Sequence, residues 1–566
     1  MARYYVIFLA GVACCFAANT EQHITHYDGF RVFRIIPSTD KHIQALKNIE
    51  KLIKLDVWHE PHWAGENYDV MVQPKDIKVF IEKLAEYGLH FTVLVDDVER
   101  LLTKERQHIR RRRKRSMSAL HEYTTDFLSF PQIEQFLSKV KSSRTEPNVN
   151  LFSIGKSSEG RDLIVAKIYK SSRRHKPEIF IDAGIHAREW IAPATAINII
   201  YQLAFNPSKD PTVSAVLDKF DWYIMPVANP DGYQFTFDHD RLWRKTRSYN
   251  IDSMCRGVDA NRNFDYKWDP STGGSLAPCE DVFAGTGPFS VPESRHLGHF
   301  LRSHGNTIQL YLSMHSFGQY LLYPWGYSRN ETAPDERDLD LLAQVANRSM
   351  SRSYSIGRSA EVLYPAAGGS YDYAKGAAGI KYSYTMELPP RDTLTNSYLG
   401  FSLPFDEISP IARDTWNGIK AQALYLDRKQ HQKDAHATAT AHGGSVDFVG
   451  ASRDGVRTSG DGAQPSRQAL SPSRQAWAPS RQAWAPSRQA LAPLRQALVP
   501  SRQAVAPSRQ ALAAPRQALG SSNHPSLSSG NDVVYSSHSG LNDYISALPQ
   551  HMRVWFVQHI NRLGSK

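Results

Sequence analysis

The sequence predicts an α/β domain with a central sheet flanked by helices, preceded by a small α+β sandwich and followed by a disordered repeat tail. Three observations lead to this arrangement. Residues 116–429 alternate strand-like and helical segments, residues 24–102 alternate short β-type runs with helical ones, and a proline-containing repeat follows both. At 566 residues the chain also exceeds what one hydrophobic core usually supports, so separate regions are expected.

The first 18 residues are typical of a secretory signal peptide. One cation, Arg3, precedes an apolar stretch over residues 4–16, and the small residues Ala17 and Ala18 follow. A membrane anchor is the alternative, but the apolar stretch is shorter than the roughly 20 residues that a spanning helix needs. We therefore expect cleavage after residue 18 and a secreted, extracellular protein.

The cysteines fit an oxidising compartment. Cys14 and Cys15 would leave with the signal peptide, so the mature chain keeps Cys255 and Cys279. Outside the cell these two are expected to form one disulfide that closes a short loop, with two free buried thiols as the alternative.

The N-terminal block is predicted to be a propeptide. Its strand-like and helical runs fit a small α+β sandwich; they lie at 31–36, 41–55, 68–72, 77–87 and 91–95. A linker at 103–115 follows, with an unbroken run of cations from Arg110 to Arg115 that is expected to lie in solvent. A folded block between a signal peptide and a polybasic run is a propeptide arrangement, and the run is the expected cleavage site for an activating protease. A simple solvated linker is the alternative.

The net charge of +11 does not indicate a nucleic-acid or membrane partner. Its excess lies in the polybasic run and in the C-terminal repeats, not in the globular region. We therefore attribute the excess charge to the cleavage site and the tail, and expect a protein that binds neither nucleic acid nor membranes. We also expect a monomer.

The tail begins at about residue 430 and extends to 540. From Arg467 to Arg516 an Arg-Gln-Ala unit recurs every seven residues, which first suggests a coiled coil. Prolines recur with the same period from Pro465 to Pro507 and would break a helix every turn or two. A disordered, partly polyproline-like tail is the better interpretation, and residues 541–566 are predicted to form a short surface helix.

The main domain contains a candidate metal site. Its predicted strands at 178–183, 222–227, 308–313 and 381–386 are mostly apolar, as strands covered on both faces are. His186 and Glu189 come just past the first strand, at the edge where open α/β sheets bind ligands. A histidine and a carboxylate three residues apart can reach one zinc ion, and His315, after a second strand, is the candidate third ligand. Taken alone, each histidine could be an ordinary loop residue.

Several segments in order resemble the pancreatic-type zinc carboxypeptidases of the A/B subfamily, over about residues 30–429. They are GIHAREW at 184–190, PVANPDGY at 226–233, RLWRKTR at 241–247, GVDANRNF at 257–264, LSMHSFGQ at 312–319, YPAAGGS at 364–370 and YSYTMEL at 382–388. The resemblance implies a mixed, mostly parallel central sheet behind the propeptide. It implies a zinc-dependent carboxypeptidase made as a zymogen.

The resemblance also assigns the chemistry. It makes His186, Glu189 and His315 the ligands of one zinc ion, Glu387 the catalytic carboxylate and Arg244 the residue that stabilises the oxyanion. Zinc lowers the pKa of its bound water and polarises the scissile carbonyl, while a carboxylate takes a proton and later gives it to the leaving amine. A cation beside the metal stabilises the negative charge of the tetrahedral intermediate.

Substrate binding follows from the same resemblance. Arg262 and Asn261 would bind the terminal carboxylate of a peptide or protein, for which a guanidinium offers paired donors. Tyr364 would close over it from a mobile loop, and Arg188 would contact residues further upstream. Cys255 and Cys279 fall where the family places a disulfide, which would brace the carboxylate-binding loop.

The chain departs from the family pattern near the pocket. Leu388 is followed by Pro389 and Pro390 before Arg391, two residues more than usual, and Phe317 stands where a tyrosine is commoner. The resemblance places Tyr371 at the floor of the specificity pocket, where it adds no negative charge and takes up volume. It predicts neutral, apolar or smaller C-terminal residues. A carboxypeptidase B-like enzyme for Lys or Arg, or a non-catalytic peptide-binding relative, are the alternatives.

Two sequons complete the sequence features. Asn330 and Asn347 each open an Asn-x-Ser/Thr triplet and are glycan acceptors if they lie at the surface.

Overall fold

The structure is a computed structural model that describes residues 24–61, 63–113, 119–143, 146–391 and 400–442. The predicted signal peptide, the end of the polybasic run, the repeat tail and the predicted C-terminal helix lie outside the described residues. Over the part that is described, no helix combines the length and the apolar character needed to cross a membrane.

The predicted N-terminal α+β sandwich is confirmed. Its elements are β1 (Arg31–Ile35), α1 (Asp40–Leu52), β2 (Asp56–His59), β3 (Tyr68–Val72), α2 (Ile77–Glu86) and β4 (Phe91–Val95). The strands form one antiparallel sheet in the order β2-β3-β1-β4. The core between sheet and helices contains Phe33, Leu46, Val70 and Phe80. The sequence pattern did not locate β2, because its four residues show no alternation of apolar and polar positions.

The predicted activation linker at 103–115 is helical as far as Arg113, and Arg110 and Arg111 of its run of cations are exposed. One helix, α3 (Val98–Arg113), runs through it. Its residues Val98, Leu102 and Glu105 are buried, because their helical spacing places them on one face that packs on the main domain. Within the run of cations, Arg112 Nε donates to Asp126 Oδ2 at 2.8 Å.

The main domain is built on an eight-stranded sheet. Its strands are β5 (Asn148–Lys156), β6 (Asp162–Tyr169), β7 (Glu178–Ala183), β8 (Asp221–Met225), β9 (Ile308–Gly318), β10 (Tyr320–Tyr323), β11 (Ser355–Arg358) and β12 (Tyr382–Arg391). They are arranged in the order β11-β10-β12-β9-β7-β8-β6-β5. The four central strands β12, β9, β7 and β8 pair in parallel. β5 and β6 pair antiparallel with their neighbours, and β10 pairs antiparallel with β12 but parallel with β11. The predicted mixed, mostly parallel sheet is confirmed.

Helices cover both faces of this sheet. They are α4 (Phe130–Ser142), α5 (Ile191–Phe205), α6 (Pro211–Lys219), α7 (Pro230–Asp238), α8 (Pro292–Ser303), α9 (Glu336–Ser349), α10 (Ser359–Val362), α11 (Ser370–Gly376) and α12 (Ile408–His442). One hydrophobic core joins α4, α5, α6, α9 and α12 to the sheet, and a second core joins α8 and α11 to its other face. Because β7 is covered from both sides, all its residues are buried.

Two strands run further than the sequence pattern predicted. β9 continues past residue 313 to Gly318, and β12 continues past residue 386 to Arg391. His315 and Glu387 therefore lie inside paired strands and not after strand ends. The unusual Pro389 and Pro390 also lie in β12, where the register with β9 shifts between Leu388 and Arg391, as a β-bulge allows.

The last helix of the main domain passes the predicted start of the tail. α12 continues beyond residue 430 to His442. The alanine-rich sequence of residues 435–441 explains this extension, because alanine has the highest intrinsic helix propensity.

Candidate active site

The three predicted metal ligands meet at the edge of two neighbouring parallel strands. His186 and Glu189 lie in the turn between β7 and α5, and His315 lies on β9 beside β7. The turn begins at Gly184, whose φ of +66° suits glycine. A Cβ there would also come within 2.9 Å of the Pro193 ring. The tight turn thus returns His186 towards the end of β9.

The ligand atoms converge closely. His186 Nδ1 lies 2.7 Å from Glu189 Oε1, His315 Nδ1 lies 3.1 Å from Glu189 Oε2, and the two Nδ1 atoms are 3.1 Å apart. All three side chains are buried. Tetrahedral zinc with bonds of 2.0–2.1 Å to its ligands requires ligand separations of about 3.3 Å. The donor set and its spacing therefore fit one zinc ion.

Asp259 connects the metal ligands to two further residues. Its Oδ1 lies 3.2 Å from His186 Nε2 and accepts from the Asn261 backbone N–H at 2.9 Å. Its Oδ2 accepts from Arg244 Nε and Nη2 at 3.1 and 2.8 Å. Burial opposes ionisation of this carboxylate, but Arg244 and His186 outweigh it and hold the pKa well below its usual range. Asp259 was not among the predicted site residues, although it lies in the segment 257–264 that resembles the family.

Glu387 faces the same site from the next strand. β12 pairs in parallel with β9, and Glu387 is in register with His315. The pKa of Glu387 is raised to about 8, mainly because burial removes water from the carboxylate. The Glu189 charge adds to this rise, while His315 and Arg244 oppose it. A carboxyl group with such a pKa can both hold and release a proton near neutral pH.

A group of polar side chains lies beside the metal ligands. Arg262 is buried, and its Nη2 donates to the Tyr364 hydroxyl at 3.1 Å. Arg262 Nε and Nη1 are fixed by the carbonyls of Gly273 and Asn261 at 2.6 and 3.1 Å. The Asn261 side-chain oxygen accepts from the Ser370 backbone N–H at 2.9 Å. These bonds hold the guanidinium in one orientation.

Tyr371 fills the end of the adjoining pocket. Its hydroxyl donates to Ser359 Oγ at 2.8 Å. It occupies the space next to Gly326, where an added Cβ would collide with it. The neighbouring carboxylate, Asp372, accepts from the backbone N–H groups of Gly326 and Tyr327 at 2.9–3.0 Å. The end of the pocket therefore presents a tyrosine and a serine hydroxyl, with the carboxylate already engaged by the backbone.

The predicted disulfide is present. Cys255 and Cys279 are bonded, with their Cα atoms 5.0 Å apart. The bond closes the segment that carries Asp259, Asn261 and Arg262.

Comparisons with known proteins agree with this site. The family model described as zinc carboxypeptidase matches residues 133–418, and the model described as carboxypeptidase activation peptide matches residues 33–105. Carboxypeptidase A6 of Mus musculus is 36% identical over 421 residues, covering 73% of this chain and 93% of the relative. Carboxypeptidase B of Helicoverpa zea is 35% identical over 428 residues, covering 73% and 96%.

The chain belongs to the zinc carboxypeptidase family. It is a metallocarboxypeptidase with an activation peptide. The fold agrees with that of solved relatives: the crystal structure of carboxypeptidase A from Helicoverpa armigera matches with a TM-score of 0.64 and 30% identity, over 70% of this chain and 97% of that one. Since both A-type and B-type names occur among the relatives, the names do not decide which C-terminal residue this metallocarboxypeptidase prefers.

The structure brings the predicted site residues together. One cleft of about 170 Å³ is lined by His186, Arg188, Glu189, Arg244, Asn261, Arg262, Tyr364, Tyr371 and Glu387. His315 lies behind it, 1% exposed.

The activation peptide lines the same cleft. Arg188 Nη1 donates to Asp56 on β2 at 2.9 and 3.1 Å. Trp58, also on β2, contacts Phe401 edge to face, with ring centroids 5.4 Å apart. Phe401 in turn contacts Phe317 and stacks on the Arg188 guanidinium. The β2 strand of the activation peptide thus covers one side of the metallocarboxypeptidase cleft.

Proposed function

We propose that this chain is a secreted zymogen of a carboxypeptidase that releases neutral, apolar or small C-terminal residues from peptides. One observation carries the proposal. A buried, immobilised guanidinium, that of Arg262, shares one cleft with a cluster of zinc-ligand type and with the Glu387 carboxyl group. An enzyme that cuts only at chain ends needs such a site for a terminal carboxylate beside the reacting carbonyl.

The chemistry is proposed to depend on five residues. His186, Glu189 and His315 would hold zinc, which supplies an activated water and polarises the scissile carbonyl when bound. Glu387 would take the proton from the attacking water and deliver it to the leaving amine, since its carboxyl group lines the same cleft as the metal ligands. Arg244, aimed by its two bonds to the Asp259 carboxylate, would stabilise the negative charge that develops on the carbonyl oxygen.

Binding of the substrate end is proposed to depend on Arg262, Asn261 and Tyr364. A guanidinium fixed by backbone carbonyls loses little freedom when it binds a carboxylate, which favours affinity. The Tyr364 hydroxyl already lies 3.1 Å from Arg262 Nη2. It would therefore share the terminal carboxylate with Arg262 after a small movement.

The preference for neutral residues rests on Tyr371. Its hydroxyl is bonded to Ser359 and its ring takes up the end of the pocket. A Lys or Arg side chain would have to bury its charge there without a free carboxylate, since Asp372 is engaged by the backbone. Burying an unpaired charge is strongly unfavourable.

Latency is proposed to depend on the activation peptide. Asp56 of the activation peptide forms an ion pair with Arg188. Arg188 is the residue expected to contact the substrate upstream of its C-terminal residue. The peptide is also fixed through α3, where Glu105 binds the buried Arg241 guanidinium through Nε at 2.5 Å. Cleavage in the run from Arg110 to Arg115 would free this block. The signal peptide, the division of the chain at 24–102, 103–115 and 116–429, and a monomeric state belong to the same proposal.

A single assay tests this function. The full chain is purified, its zinc content is measured, and release from peptides ending in Leu, Phe and Arg is followed before and after proteolytic trimming. We expect one zinc per chain, little release before trimming, and faster release of Leu and Phe than of Arg afterwards. A clear preference for Arg contradicts the pocket proposal, and full activity of the uncleaved chain contradicts latency.

A further inference from the structure

The two histidines of the metal cluster differ in the hydrogen-bond partner of Nε2, the ring nitrogen that points away from the cluster. Both rings turn Nδ1 towards the cluster, so Nε2 must carry the proton if Nδ1 is to bind a metal. His186 Nε2 lies 3.2 Å from the Asp259 carboxylate. His315 Nε2 instead lies 3.1 Å from the hydroxyl of Ser313.

The Ser313 hydroxyl is itself held by a carboxylate. Its Oγ donates to Asp182 Oδ1 at 2.8 Å. A serine hydroxyl has one proton and can accept further bonds. With its proton given to Asp182, Ser313 can only accept from His315, which fixes the ring as the Nε2–H tautomer. Asp182, Ser313 and His315 thus form a directional chain across β7 and β9.

Burial makes this chain rigid. Asp182 and Ser313 are fully buried and stand in register on the two parallel strands. A carboxylate buried in the centre of a sheet destabilises the fold unless its hydrogen bonds compensate for the free energy of desolvation. A functional role for Asp182 behind a metal-ligand histidine would explain why the fold tolerates this cost.

We propose that Asp182 and Ser313 are positioning residues that fix His315 in the tautomer and orientation required to bind zinc. This inference rests on the proposed zinc ligands. It predicts that the hydroxyl at 313 matters for how long zinc stays bound, beyond any effect on folding. Losing such an outer partner of a metal ligand typically weakens metal binding by about 10–100-fold.

The test compares zinc release to a chelator from the full chain carrying Ser313→Ala, Ser313→Thr or Ser294→Ala. Ser294 is an equally buried hydroxyl that bonds Asn263 Oδ1 at 2.7 Å. We expect release at least about tenfold faster for Ser313→Ala, and near the unmodified rate for Ser313→Thr and Ser294→Ala. If Ser313→Ala does not fold, Asp182→Asn provides the same comparison, since it keeps the shape and removes the charge.

A second readout separates positioning from general stability. Zinc raises the melting temperature of a protein that binds it only when folded. The difference between the zinc-loaded and zinc-free forms should shrink for Ser313→Ala. A structural role would lower both melting temperatures and leave their difference unchanged, which would overturn the proposal. An unmodified chain that binds no zinc would overturn the proposed function as well.

A second observation, independent of the metal site, concerns the two sequons. Asn330 and Asn347 differ in whether their side chains are available for glycosylation. Asn330, Glu331 and Thr332 are all exposed in the loop between β10 and α9. Arg358 Nη1 donates to the carbonyls of Arg329 and Glu331 at 3.1 and 3.0 Å. The Arg358 guanidinium therefore holds the backbone of the loop, while the side chains of the sequon face solvent.

Asn347 is engaged by the fold. It lies in the last turn of α9, where its Oδ1 accepts from the Tyr354 backbone N–H at 2.8 Å and its Nδ2 donates to the Tyr354 carbonyl at 3.3 Å. A sugar on Nδ2 would have to occupy the space next to this buried tyrosine. The geometry points to N-linked glycosylation at Asn330 and not at Asn347, given the proposed secretion.

Mass mapping of the secreted chain tests this assignment. We expect a glycosidase-sensitive mass on the peptide with Asn330, its loss in both Asn330→Gln and Thr332→Ala, and no change in Asn347→Gln. A glycan on Asn347, or a secreted chain without a glycan at Asn330, would overturn it. A chain that never enters the secretory pathway would overturn the proposed secretion too.

Discussion

Arg188 of the cleft is bound by Asp56 of the activation peptide, with Nη1 2.9 and 3.1 Å from the two carboxylate oxygens. Arg188 is 3% exposed and also approaches Asp281 Oδ2 at 3.4 Å. A buried guanidinium that loses one of its carboxylates is left poorly compensated. The contact therefore contributes to holding the activation peptide over the site.

The first prediction concerns this contact. Asp56→Asn should weaken the docking of the activation peptide, because removal of one member of a buried charged pair costs about 2–5 kcal/mol. We expect measurable activity in the uncleaved variant and at least about tenfold weaker inhibition when the variant peptide is added to the trimmed enzyme, since tenfold corresponds to only 1.4 kcal/mol.

The control is Asp96→Asn. Asp96 lies in the same peptide but is largely exposed and pairs with Arg100 of that peptide, so inhibition should stay unchanged. Equal inhibition by the Asp56 and Asp96 variants would show that the ion pair with Arg188 does not secure the peptide.

The second prediction concerns the pocket. Tyr371→Leu removes the hydroxyl bonded to Ser359 and opens the space next to Gly326. Larger apolar residues should then fit, and kcat/KM for a peptide ending in Phe should rise by about tenfold relative to one ending in Ala. Ser359→Ala is the matched control, because it removes the same hydrogen bond without opening comparable space. If both variants change the ratio equally, pocket volume is not the cause.

Sequence reasoning reached the site residues but not what surrounds them. His186, Glu189 and His315 were recognisable because the segments that carry them are short and ordered along the chain. Asp182 and Ser313, the residues behind His315, were not recognisable. They lie in apolar strands, and only the register between β7 and β9 brings them together. Such a contact depends on strand pairing, which the order of residues in either strand alone does not specify.

The fold shows the same division. β3 and β4 were predicted with the bounds that the structure shows, since each is mostly apolar. The helix α3 was not predicted, because a run of cations shows no apolar periodicity, and the buried residues Val98, Leu102 and Glu105 lie before that run. Local patterns located most elements, whereas α3 is held by the packing of Val98 and Leu102 against Leu242 and Phe401 of the main domain.

The third prediction concerns Glu387. Glu387→Gln keeps the shape of the side chain but cannot accept the proton of the attacking water. We expect kcat to fall by about 10²–10⁴-fold, the usual contribution of a general acid–base group, with zinc content and KM close to those of the unmodified enzyme. Unchanged kcat would assign the proton transfer to another group, and lost zinc would place Glu387 among the ligands.

The last prediction concerns Asp372 and the pH dependence of stability. Burial raises the pKa of Asp372 from 3.8 to about 7, and the N–H groups of Gly326 and Tyr327 oppose this rise only in part. Between these two values the folded state holds a proton that the unfolded state has released. Stability from this group is therefore present at low pH and is lost as pH rises towards 7.

Asp372→Asn should remove that dependence, because an amide cannot ionise and its oxygen can still accept from both backbone N–H groups. The free energy of unfolding of the unmodified chain should fall more steeply between pH 5 and 7 than that of the variant, by at most about 1.4 kcal/mol per pH unit. Asp252→Asn, at an exposed position, should leave the slope unchanged. Denaturant titrations at several pH values measure these slopes, and parallel curves for the unmodified chain and Asp372→Asn would mean that the carboxylate stays ionised in the fold, stabilised by its two backbone donors.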